Sequence, residues 1–375
     1  MAVTSEAPDI VLAFAYNNVS GEKVSTFTDG GATIYADGGR VVLNLPATDG
    51  SYAELSSRLS GRYYPGQGMT CRFTLVSSGC VAKQQLEVGC GDTRDGFYIG
   101  CCPSCLSDGG SSFALLRRAR GAETWYVPSA WNGGWGATPP DPTFGRPYQI
   151  VYQWLGYGQV TYYAEDVTSG TFVPLHAVKY AGTSTETTIE NPTLKLRIAA
   201  RNLTNTAGWI SSPSMSLIRQ GVLATQGNRT RKSARSGPRV LNTTTETAVL
   251  SIRNDAAFNG LTNRAEIIVD SLSWGLNGAN QDAWIGLVFN GTLTSPNWIR
   301  VNDSLSLASF DADGGFSYDS GIRWMNFAAE SALANTVDLR PYELRLAPGD
   351  TLTVVGLAVT GTPDLKVSLS WEEDF

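Results

Sequence analysis

Apolar and alternating runs in this chain are short, and turn residues cut them again and again: 40 Gly and 17 Pro are spread over 375 residues. Gly and Pro supply the backbone angles of tight turns and interrupt helices, so the pattern dictates many short strands rather than long helices. Val41 to Leu45 follows an Asp37-Gly38-Gly39 turn. Met69 to Val76, Gln84 to Val88, Phe97 to Gly100 and Ser112 to Arg117 read as further strands, with the turn dipeptide Asp95-Gly96 among them. Tyr148 to Leu155 and Gln159 to Glu165, joined by Gly156-Tyr157-Gly158, read as a hairpin. Leu194, Leu196 and Ile198 alternate with Lys195 and Arg197, the pattern of a strand with one face on a core and one in water.

Residues 221–239 break the series. They are poor in apolar side chains after Leu223, rich in Gly, Ser, Thr and Arg, and end in Gly237-Pro238, so they read as a linker. A second set of strands follows and closes on Leu365, Val367, Leu369 and Trp371, which alternate with Lys366, Ser368 and Ser370. A short helix is expected near Phe327 to Ala334. The expected fold is all-β: a β-sandwich over 1–220, a linker over 221–239 and a smaller jelly-roll-like sandwich over 240–375.

Charged residues make up 17% of the chain, against roughly a quarter in an average domain. The net charge of −6 gives no reason to expect a nucleic-acid-binding surface. The one basic run, Arg229, Arg231, Lys232, Arg235 and Arg239, reads as a solvated linker. No run of about 20 apolar residues is present for a membrane helix. The segment from Met1 lacks the basic and apolar regions of a secretory leader, so assembly in a cytoplasm is expected.

Catalytic signatures are sparse. The single histidine, His176, has no nucleophile motif to serve and reads as a strand residue on a partly exposed face. Glu87 stands alone in its strand, and Glu165 and Asp166 are adjacent, hence on opposite faces. The paired carboxylates of a glycosidase are therefore not evident, and no enzyme is expected. The six cysteines fall within residues 71–105. Three arrangements fit them: a zinc site from Cys90, Cys101, Cys102 and Cys105; disulfides, with Cys71 bridged to Cys80 or Cys90 and one more in the 101–105 loop; or reduced thiols. Spacing does not choose among these. Trp125, Trp131 and Trp135 are candidates for stacking on a glycan. Asp311-Ala312-Asp313-Gly314 lacks the remaining oxygens of a calcium loop and reads as a turn.

Over about residues 50–220 the succession Tyr64-Pro65-Gly66-Gln67-Gly68, Cys71-Arg72-Phe73-Thr74, Asp95-Gly96-Phe97-Tyr98-Ile99-Gly100, Phe113 to Arg118 and Trp154-Leu155-Gly156-Tyr157-Gly158 resembles the large domain of structural proteins of tailed bacteriophages, with a concanavalin-like jelly-roll plan. Val337-Asp338-Leu339-Arg340-Pro341 and Pro348-Gly349-Asp350-Thr351 are similar to the C-terminal modules of such proteins. The resemblance implies a non-enzymatic virion component of a tail, fibre or head appendage. It would act by assembly with other virion proteins and with itself, as a trimer, and would take a host surface glycan if it serves as an adhesin. Trp371 and Phe375 are the expected contacts between subunits.

Overall fold

The computed structural model describes residues 7–106, 110–136, 138–221, 229–277, 280–312, 318–330 and 334–373. The chain divides into two compact units, Met1–Leu223 and Ala224–Phe375. Strands build both units, and the only helical segments among the described residues are two 3₁₀ turns, Pro128–Ala130 and Arg340–Tyr342. The chain is all-β.

In the first unit a nine-stranded sheet contains Met69–Ser77, Arg146–Tyr152 and Arg40–Leu45. A seven-stranded sheet runs, in spatial order, through Ala122–Tyr126, Ser112–Ala119, Gly96–Cys102, Gln84–Gly91, Leu196–Asn202, Tyr52–Ser57 and Val24–Asp29. Every pairing in it is antiparallel. Leu43, Phe73, Tyr148 and Ile150 of the first sheet share one core with Leu55, Leu86, Val88, Ile99, Leu115 and Ile198 of the second. Side chains alternate along a strand, so every second residue of the seven-stranded sheet points away from this core. That outer face carries the site described below.

The second unit also packs two sheets around one core. One holds Thr230–Arg235, Asp364–Glu373, Ile267–Asn277 and Ala334–Asp338; the other holds Thr247–Asn254, Thr351–Ala358, Asp282–Phe289 and Ile322–Glu330. Leu365, Val367, Leu369 and Trp371 all enter the core, as their alternation requires.

Three expectations need correction. The linker is shorter than its composition suggests. Thr230–Arg235 is a strand paired with the last strand, and Arg239–Val240 pairs with it too. Glu372 supplies the counter-charge, with Arg229 at 2.8 Å and Arg231 at 3.4 Å. Residues 222–228 lie outside the described residues. The helix expected near Phe327 to Ala334 is instead the strand Ile322–Glu330, whose ladder bonds to Asp282–Phe289 outweigh the helix preference of its alanines. Trp371 is fully buried in its own unit, its indole donating to Glu373 Oε1 at 2.8 Å, so it offers no surface for a subunit contact. Phe375 lies outside the described residues.

Candidate functional site

Glu87 projects from the outer face of the seven-stranded sheet, with Gln85 two residues before it on the same face. Arg197 and Ala199 project from one neighbouring strand, Tyr98 and Gly100 from the other, and Arg118 and Glu123 from the two beyond. Small residues in this array leave room for one large ring. A Cβ at Gly91 or Gly96 would come within 2.4 or 2.6 Å of the Tyr98 hydroxyl, so only glycine lets the ring lie where it does. That hydroxyl donates to the Asp92 carbonyl at 2.9 Å. The guanidiniums of Arg118 and Arg197 stand 5.1 and 5.4 Å from the Tyr98 ring centre, within cation–π range.

Both guanidiniums close on Glu87. Arg118 Nη2 donates to Oε2 at 2.9 Å and Arg118 Nη1 to Oε1 at 3.2 Å. Arg197 Nη1 also donates to Oε1, and Gln85 Nε2 donates to Oε2 at 3.0 Å. The side chains of Glu87, Arg118 and Arg197 are only 3, 6 and 3% exposed. Burial alone would raise the Glu87 carboxyl, but Arg197 and then Arg118 outweigh it and hold the group down to about 2. Burial likewise disfavours charge on Arg197, and Glu87 and Glu54 reverse that and keep it protonated.

The hydrogen bonds continue outward from the arginines. Glu54 accepts from Arg197 Nη2 at 2.9 Å, and Tyr52 is hydrogen-bonded to both. The Tyr52 phenol is pushed up to about 12, chiefly by burial. Glu123 accepts from Arg118 Nη2 at 2.5 Å and from Gln85 Nε2 at 3.1 Å, and its other oxygen accepts from the Trp125 indole at 3.1 Å. Above this floor lies a cleft of about 460 Å³ lined by Asp29, Tyr52, Gln85, Glu87, Arg118, Glu123, Arg197 and Arg201, among others. Its named acids and arginines balance in sign, and Arg201 and Asp29 are exposed at one end.

The three tryptophans separate. Trp125 lies on the sheet beside Glu123, next to the cleft. Trp131 and Trp135 pack against the core, and their indoles donate to the carbonyls of Tyr126 (2.9 Å) and Thr138 (3.0 Å). They form no platform with Trp125. His176 is buried rather than partly exposed, its ring tilted against Tyr126 at 4.6 Å between ring centres. Burial lowers its pKa.

The cysteines separate as well. Cys101 is bonded to Cys80. Cys90 lies in the core, its thiol in hydrogen-bond contact with that of Cys71 on the opposite sheet. Cys102 sits on the other face of its strand from Cys101, in contact with Cys105. Adjacent residues of a strand cannot both face one ion, so Cys90, Cys101, Cys102 and Cys105 do not converge on zinc. No cluster of metal-ligating side chains occurs among the described residues.

Sequence reading missed Glu87, Arg118 and Arg197 as a unit. The signal available was Arg197 itself, a charge flanked by Leu196, Ile198, Ala199 and Ala200 in its strand.

No family model and no curated protein matches the chain. Among solved structures, similarity extends to a protein of unknown function from Shewanella oneidensis (14% identity, 61% of this chain and 92% of that one, TM-score 0.36). It also extends to a glycosyl hydrolase family 16 protein from Mycobacterium smegmatis (12%, 56% and 100%, TM-score 0.38). A third is the carbohydrate recognition domain of Emp47p (13%, 59% and 99%, TM-score 0.34). With scores this low, no activity is carried over from any of them.

Proposed function

We propose that this chain is a non-enzymatic binding protein whose first sandwich holds an uncharged, polyhydroxylated ligand, a glycan, in the cleft over Glu87. The observation that carries the reading is the saturation of Glu87. Four donors occupy its two oxygens, and two buried arginines keep it ionised. A glycosidase needs one carboxyl that holds a proton for the leaving group and a second free to attack or to activate water. Glu87 supplies neither, and both oxygens of Glu123 are engaged by donors. What the network does supply is a set of fixed donors and acceptors. Charge balance in the cleft favours a neutral ligand over a polyanion, and Trp125 beside it offers an aromatic surface to a sugar ring. The virion setting, assembly in a host cytoplasm and trimeric self-association are part of the proposal, and the sequence resemblance to phage structural proteins is their support.

The test is a screen of neutral oligosaccharides by glycan array, followed by calorimetry with Trp125→Ala and Gln85→Ala. Binding by the wild type, weakened about tenfold in each variant while each variant still melts as a cooperative fold, is the expected result. An array with no neutral glycan bound, or binding indifferent to both substitutions, rejects the cleft as the site. Release of reducing ends from a polysaccharide, lost in Glu123→Gln, would replace this reading with a hydrolase.

A further inference from the structure

Cys102 and Cys105 flank the turn Pro103-Ser104 at the end of the strand Gly96–Cys102. Their thiols are in hydrogen-bond contact. The backbone around them is anchored on both sides. Lys83 N donates to the Pro103 carbonyl at 2.7 Å, and Ser111 Oγ donates to the Cys102 carbonyl at 2.6 Å. Cys101, the nearest competitor, is already committed to Cys80 and faces the core. Cys105 is partly exposed, so a small reagent can reach it, whereas Cys102 is buried behind it. The other thiol pair, Cys71 and Cys90, is fully buried between the two sheets.

We propose that Cys102 and Cys105 are a reversible dithiol–disulfide pair that exchanges with low-molecular-weight disulfides, while Cys71 and Cys90 stay reduced in the folded chain. The partner class is a small disulfide such as glutathione disulfide. The Cys105 thiolate attacks one of its sulfurs, the disulfide bond breaks, and one glutathione leaves as a thiolate that takes up a proton. The Cys102 thiol gives its proton to solvent base and attacks the Cys105 sulfur. The mixed disulfide breaks, and the second glutathione leaves. Two protein thiols are oxidised, one glutathione disulfide is reduced to two glutathiones, and protons balance. Accessibility selects the pair: thiol exchange needs an approaching sulfur in line with the one attacked, and the sealed core around Cys71 and Cys90 admits none. Burial, with the Cys105 thiol next, pushes the Cys102 thiol up to about 12, so Cys102 rests as a thiol and the second step is the slow one. This inference is independent of what the cleft binds.

The experiment counts thiols on the full chain by mass spectrometry after alkylation in denaturant. The untreated protein has four reactive thiols, with Cys80–Cys101 closed. After incubation of the folded protein with glutathione disulfide, two are expected to remain, on the peptides of Cys71 and Cys90, and dithiothreitol too mild to open Cys80–Cys101 should restore four. Cys102→Ser should instead carry one lasting glutathione adduct on Cys105. Four thiols surviving treatment of the wild type, loss of the Cys71 and Cys90 thiols from the folded protein, or new linkages to Cys80 or Cys101 would each overturn the proposal. The wild-type count decides even where the variant does not fold.

Discussion

Replacing Glu87 by Gln keeps the volume of the side chain and removes its charge. Arg118 and Arg197 then face each other across a neutral amide in a site from which water is nearly excluded. Breaking a buried ion pair by removing one partner costs about 3–5 kcal/mol. Here each arginine keeps another carboxylate, Glu123 at 2.5 Å and Glu54 at 2.9 Å, so the lower end applies, about 3 kcal/mol. Linkage leads to the same figure. A carboxyl held at about 2 instead of 4.5 stabilises the fold by about 3 kcal/mol once it is ionised. In a unit of this size that is a fall of roughly 6–12 °C in the melting temperature. The folded value is depressed, so the contribution is full above about pH 4.5 and lost as pH falls toward about 2. Melting of the wild type and Glu87→Gln, followed by calorimetry, should show the full gap at pH 7 and a narrowing gap below pH 4.5. Glu190→Gln is the control. Its ion pair with Arg94 has side chains 53 and 42% exposed, and its loss should move the melting temperature by less than about 2 °C. A Glu87→Gln protein that melts within that same margin at pH 7, or a gap that persists unchanged to pH 2, refutes the reasoning.

Trp371→Ala should cost the second unit about 4 kcal/mol, the usual result of emptying a fully buried indole site. Calorimetry reads it, and light scattering should show the assembly state unchanged; a variant that dissociates without losing melting temperature would restore Trp371 as a subunit contact. The lone His176, desolvated beside Tyr126, should titrate below its ordinary 6.5 by NMR, so that its stabilising effect is complete above that pH and lost as pH falls below it. A midpoint at or above 6.5 contradicts the buried placement.

Alternation and turn signals carry the fold, because both act within a few residues. The final strand shows this: Leu365, Val367, Leu369 and Trp371 had to share a face, and they do. Arg229 and Arg231 show the limit. Their composition reads as linker, but pairing with the distant last strand, with Glu372 as counter-charge, makes that stretch an edge of the second unit's sheet. The candidate site was almost wholly hidden. Glu87, Tyr98, Arg118 and Arg197 lie on four strands, and sheet order brings together positions up to 110 residues apart. A reader of one strand sees a solitary acid in one place and a solvent-facing arginine in another. Cys101 and Cys102 mislead in the opposite way: neighbours in sequence, they are sent to opposite faces by the pleat.

Stability alone does not account for charges at that depth. Well-packed apolar side chains of the same volume serve a fold as well as a buried ion pair does, or better. The first unit has such packing on the inner side of the same sheet, where Leu86, Val88 and Ile99 meet the opposite sheet without a charge between them. The costly arrangement is confined to the outer face, and its outward edge is the floor of the cleft. There it fixes what apolar residues cannot: Gln85, Glu123 and Tyr52 are each held by a partner inside the network. A ligand that meets groups already oriented loses less entropy on binding than one that must order them. Under the proposed glycan-binding function, the network is the rigid backing of that surface. The same contacts hold its central carboxylate ionised.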